Sequence, residues 1–122
     1  MRKSMQGKNE VWSDDEVRRA VESYLAMLKL EIEGIPFVKS HANAKLRESL
    51  NNRSKGSVEF KFQNISAVMV RSHRTPIRGY KPAANAQALL AAAVSEALTA
   101  NPALDAAAAA RFDPKDWLWF NL

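Results

Sequence analysis

The sequence predicts an all-α fold: a compact bundle of four to five helices with a helix-turn-helix-like pair and an aromatic C-terminal tail. Three observations predict it. A capping box at Ser13 opens a long apolar stripe, Asn101-Pro102 opens a second helix, and residues 58–70 carry three turns of helical spacing with no convincing partner strand. At 122 residues a single domain is expected. Residues 1–10 are expected to be flexible, and residues 113–122 to pack on the core or on a partner.

The first helix is the clearest element. In Ser13-Asp14-Asp15-Glu16 the Ser13 hydroxyl can accept the Glu16 amide hydrogen while the Glu16 carboxylate reaches back. Trp12 and Val17 sit at staple positions, and Val17, Ala20, Val21, Tyr24, Leu25, Leu28 and Ile32 mark one face. Gly34 followed by Pro36 supplies the stop. A second helix is predicted over about 40–50, with Ala42, Leu46 and Leu50 four apart, and residues 51–56 have turn composition.

Residues 58–70 support two patterns. Val58, Phe60 and Phe62 alternate with Glu59, Lys61 and Gln63 as in a half-buried strand, yet the alternation breaks at Asn64-Ile65. Val58, Phe62, Ile65 and Met69 keep helical spacing throughout, and a lone strand cannot satisfy its backbone groups. A helix is therefore predicted, with Phe60 pointing outward. Ser57 reads as its cap. A basic loop with Pro76, Gly79 and Pro82 follows. The fourth helix has Pro82 near its first turn and Leu89, Leu90, Val94, Ala97 and Leu98 inside. Pro102 at the first helical position starts a fifth helix over 102–111, which its alanine run favours. Trp117, Leu118, Trp119, Phe120 and Leu122 make the tail too apolar to remain in water.

Composition removes several function classes. Hydrophobic residues make up 47% and charged residues 25%, as in an ordinary globular chain. No cysteine is present, so disulfides, thiolate zinc sites and thiol nucleophiles are excluded. Neither a signal-peptide core nor an apolar run of membrane-spanning length occurs, and a cytoplasmic protein is the default. The net charge of +5 is unevenly placed. Residues 9–38 carry a net −4, residues 39–81 a net +8 from ten basic and two acidic residues, and residues 82–122 a net −2. A basic middle between acidic flanks suggests a patch facing a polyanion, with a plain solvated surface as the alternative.

Catalytic and metal chemistry lack their residues. His41 and His73 are the two histidines, far apart and without carboxylates at ligand spacing. Glu59-Phe60-Lys61 resembles part of a metal-dependent nuclease motif, but no Asp stands between Asp15 and Asp105 to share the metal. The glycines are isolated, so no phosphate loop exists. No enzyme activity, metal or cofactor is expected.

A set of residues then points to a family. They are Trp12-Ser13, Glu16, Tyr24, Met27, Leu28 and Arg53-Ser54, with Gly56-Ser57-Val58-Glu59, Lys61 and Gln63-Asn64-Ile65-Ser66-Ala67-Val68 at the centre. Gly79-Tyr80-Lys81-Pro82, Asn85, Gln87, Leu89 and Leu90 complete the set. In these the chain resembles a helical module at the N-terminus of bacterial HNH-type nuclease and restriction-related proteins. Phe62 stands where that module is expected to have a histidine, and residues 71–78 are more basic. About 30 residues follow Leu90, without a histidine, which leaves no room for a nuclease module. The resemblance implies an accessory or recognition role in a DNA-directed system, here free-standing and carried on a mobile element.

Two binding readings follow. In the first, DNA is bound through the basic middle: Lys45, Arg47, Arg53, Lys55, Arg71, Arg74, Arg78 and Lys81 contact phosphates, while Gln63 and Asn64 either read adenine edges or are internal hydrogen-bonding groups. In the second, Phe60, Trp117, Trp119 and Phe120 form a protein interface, for a homodimer or a nuclease subunit encoded elsewhere.

Overall fold

A computed structural model describes residues 11–84 and 88–120. The expected flexibility of residues 1–10, and the positions of Asn85, Gln87 and Leu122, lie outside the described residues. The chain is all-helical: α1 is Asp14–Glu33, α2 Lys39–Arg47, α3 Lys55–Arg71, α4 Ala88–Thr99 and α5 Pro102–Arg111, followed by a 3₁₀ turn at Pro114–Trp117. No membrane-spanning helix occurs among the described residues.

Local chemistry sets the boundaries. The capping box forms as its sequence requires, with Ser13 and Glu16 exchanging two 3.1 Å hydrogen bonds. At the other end Gly34 takes the left-handed conformation, φ 75°, so that its N–H reaches the Glu31 carbonyl and the Ile35 N–H reaches that of Leu30. α3 is capped by Ser54, whose hydroxyl accepts the Ser57 N–H; the expectation that Ser57 is the cap is corrected by one turn. α3 ends with His73 at φ 59° and a pair of bonds of the same type as at Gly34, from His73 to Val70 and from Arg74 to Met69.

Two boundaries move. α2 stops at Arg47, short of residue 50, because Ser49 and Leu50 turn back onto Leu46 and Arg47. That turn delivers the Asn51 N–H to the Glu16 carboxylate. Pro82, expected near the first turn of α4, lies outside that helix as described from Ala88. It is buried in a non-helical segment that continues to Ala83, which is hydrogen-bonded to α3.

α1 and α3 form the centre, packed on each other and both on α4, with α2 and α5 closing opposite sides. Val58, Phe62, Ile65 and Met69 are fully buried, so the helical pattern prevails over the strand pattern. Tyr24 joins the layers: its hydroxyl accepts the Ile77 N–H and lies 2.7 Å from the Ser66 hydroxyl. With Phe62 and Tyr80 it makes a three-ring cluster in the core.

The opposite face of α3 is covered too. Ala67 and Val70 pack against Phe120, with Phe112 and Trp117 around them. The tail therefore folds back onto its own chain, and Phe120 is a core residue rather than part of an exposed interface, because the outer side of α3 is apolar enough to need a second layer.

Candidate nucleic-acid interface

Ten basic residues lie between 39 and 81, and the fold divides them into three groups. One group is structural. Arg53 is 6% exposed and grips Glu16 with two nitrogens, Nε at 3.1 Å and Nη2 at 2.9 Å, while Nη2 also donates to the Val11 carbonyl. Its guanidinium and the Lys61 ammonium each lie 4.9 Å from the Trp12 ring. Arg53 is thus corrected from phosphate contact to internal strut.

The same node sets the Glu16 charge. Burial pushes its pKa up, but hydrogen bonds from Arg53, Asn51 and Ser13 and the Arg53 charge outweigh burial and hold it at about 2. Lys61 is held below the usual lysine range, first by burial and then by the neighbouring Arg53.

Asn64 takes the second of its two expected roles, that of an internal hydrogen-bonding group. It is fully buried, and its Nδ2 donates to the Ala83 carbonyl at 2.7 Å while the Ala83 N–H bonds to the Gln63 carbonyl. An amide enclosed in this way cannot pair with a base edge. Gln63 is half-buried beside the same segment. Ala83 and Phe120 cover the middle of the outer face of α3, so Asn64 and Ala67 are withheld from a groove, and the exposed residues of α3 lie at its two ends.

The second group is partly engaged at the surface. Arg74 makes a bidentate pair with Asp105, Nε to Oδ1 at 2.7 Å, a contact across 31 positions that no local pattern encodes. Arg47 donates to the Asn43 side chain, and Asn43 in turn donates to the Lys55 carbonyl. Lys39, left out of the expected set, donates to the Gly79 carbonyl and lies over the Tyr80 ring. A Cβ at Gly79 would fall 2.9 Å from that lysine nitrogen, so glycine is what lets it approach.

The third group is exposed and has no carboxylate at ion-pair distance among the described residues: Lys45, Lys55, Arg71, Arg78 and Lys81. They are spread over α2, both ends of α3 and the loop that follows it. The loop leaves α3 at Met69, where Arg74 is bonded, and runs back until Ala83 reaches Gln63. Lys81 therefore lies beside the middle of α3. Its ammonium is 5.2 Å from the Trp119 ring centre, and the Arg71 guanidinium is 5.2 Å from that of Phe120.

Of the expected interface aromatics, Phe60 and Trp119 are about half exposed, Trp117 is partly buried and Phe120 is buried. His73 stacks on Phe112, and His41 lies on the wall of a groove between α1 and α2. That groove, about 890 Å³, has a floor that includes Ala26, Met27, Leu30, Phe37, Ala42 and Leu46. Among the described residues no group of three or more histidine or acidic side chains could hold a metal ion. No family model, curated protein or solved structure matches the chain, so the site stands on its own geometry.

Proposed function

We propose that this chain is a non-catalytic nucleic-acid-binding module that holds its ligand by charge and not through a reading helix. The observation that carries this is a set of exposed cations, Lys45 on α2, Lys55 and Arg71 at the two ends of α3, and Arg78 and Lys81 in the loop that follows, whose side chains have no carboxylate at ion-pair distance among the described residues. Cations displayed in this way release counterions from a phosphate backbone, the main source of sequence-independent affinity. The resemblance to a helical module that precedes HNH-type nucleases supports an accessory place in a DNA-processing or restriction-type system, in the cytoplasm of a bacterium and carried on a mobile element.

A second reading, a protein-interaction module, is favoured by the largely apolar groove between α1 and α2, on whose wall Val38 is exposed. Titration of a labelled DNA duplex at about 50 and 200 mM salt, beside a sizing measurement, separates the two. Salt-sensitive binding by a monomer supports the nucleic-acid reading. Absence of binding at the lower salt ends it, and self-association or capture of a nuclease subunit then supports the second.

A further inference from the structure

Phe60, Asn64, Ala67 and Arg71 share one face of α3, turned about 130–170° from the core stripe at 100° per residue. That face is roofed in the middle, since Ala83 covers Asn64 and Phe120 covers Ala67. What reaches solvent is Phe60 at one end, 51% exposed, and Arg71 at the other, together with Lys81 and Trp119 of the roof, the indole being 53% exposed. Trp119 is not a loose ring. Lys81 lies over it, and Trp117 and Phe120 hold it from the sides with ring centres 6.1 and 5.8 Å away.

We propose that this face binds single-stranded nucleic acid, with a base stacked on Trp119 and the adjoining phosphates on Lys81 and Arg71. The inference rests on the charge-based reading above and names its ligand. Two arguments select a single strand. The bases of a duplex are stacked on one another and offer no free face to an indole, whereas every unpaired base has one. A cation beside an anchored aromatic is also the arrangement that tracks a backbone while stacking its bases. A protein partner would use the same tryptophan and arginine as anchors, but the cores of such interfaces are depleted in lysine, and here a lysine lies on the ring. Glu59, beside Phe60, opposes phosphate at that end, so the weight of the site is at Lys81, Trp119 and Arg71.

The test is a set of anisotropy titrations of the full chain with labelled oligo-dT, oligo-rU and a duplex, each about 12 nucleotides long, within the range one single-strand site covers. The single strands should bind several-fold more tightly than the duplex. Trp119→Ala should lower single-strand affinity about tenfold and leave duplex affinity and melting temperature unchanged, while Trp119→Phe should restore most of the loss. A difference between the dT and rU arms identifies which nucleic acid is preferred. Equal binding of strand and duplex, insensitive to Trp119→Ala, would overturn the stacking site and leave the charge-based reading intact. No binding to any of the three would end both. A change of oligomeric state in Trp119→Ala with oligonucleotide binding unaltered would also overturn it, by making the indole a protein contact.

Discussion

At the scale of single residues, Glu16 and Arg53 show how a charge pattern misleads when partners are distant in sequence. Arg53 lies in a run of basic residues, yet its carboxylate comes from 37 positions away and removes it from the surface. The pair also makes stability depend on acidity. The Glu16 pKa is lowered from 4.5 to about 2, so its contribution is complete above pH 4.5 and is lost as pH falls through about 2. A shift of this size corresponds to roughly 3 kcal/mol. Urea melts between pH 7 and 2 should show that loss in the native chain. Glu16→Gln should flatten the curve across this window and lower stability at pH 7 by about 3–5 kcal/mol, since it leaves Arg53 buried without its counter-charge. Asn64 supplies a second residue-scale expectation. Asn64→Ala should cost about 1–3 kcal/mol by leaving the Ala83 carbonyl without its donor. Gln63→Ala should cost little, because its backbone, not its side chain, makes the bond to Ala83. A loss of DNA sequence preference in Asn64→Ala with an unchanged melting temperature would contradict this.

At the scale of elements, legibility followed the range of the interaction. α1 and α5 could be read because their signals are local: a capping box and Gly34 for one, Asn101-Pro102 for the other. α3 needed a judgement between two periods, and its four-residue spacing prevailed because the alternation ended after one turn. Less legible were the end of α2, fixed by the Asn51–Glu16 contact, and the non-helical Pro82-Ala83 segment, fixed by Asn64. Both depend on contacts between residues far apart in the chain, which no local pattern encodes. The candidate site follows the same rule. The exposed cations could be counted from sequence, but that Lys81 lies on Trp119 depends on the tail folding back. The tail should therefore behave as part of the fold. Phe120→Ala removes the ring that covers Ala67 and Val70 and should cost about 3 kcal/mol, whereas Leu118→Ala, at 79% exposure, should stay within about 0.5 kcal/mol. Equal, small effects from both in thermal melts would mean that the tail does not hold the outer side of α3.

At the scale of the whole molecule, an acidic α1 backs a basic α3 region, which orients the molecule in the field of a polyanion. The 17 residues of α3 place Lys55 and Arg71 about 24 Å apart at 1.5 Å per residue. This is roughly seven base pairs at 3.4 Å each, and the returning loop sets Lys81 between the two ends. Five exposed cations at about 0.9 per phosphate contact give a slope of at most about −4.5 for log K against log salt on duplex DNA. Replacing Lys45 and Lys55 together, or Arg71 and Lys81 together, by alanine should flatten that slope by about 2, with the melting temperature nearly unchanged. Arg53→Ala should do the reverse, lowering the melting temperature and leaving the slope in place, because its charge is already spent on Glu16. Arg74→Ala should likewise change the slope little, as Asp105 neutralises it. If Arg53→Ala flattened the slope as much as a double surface variant while folding normally, the buried pair would have to open on binding, and the division of the cations into struts and contacts would fail.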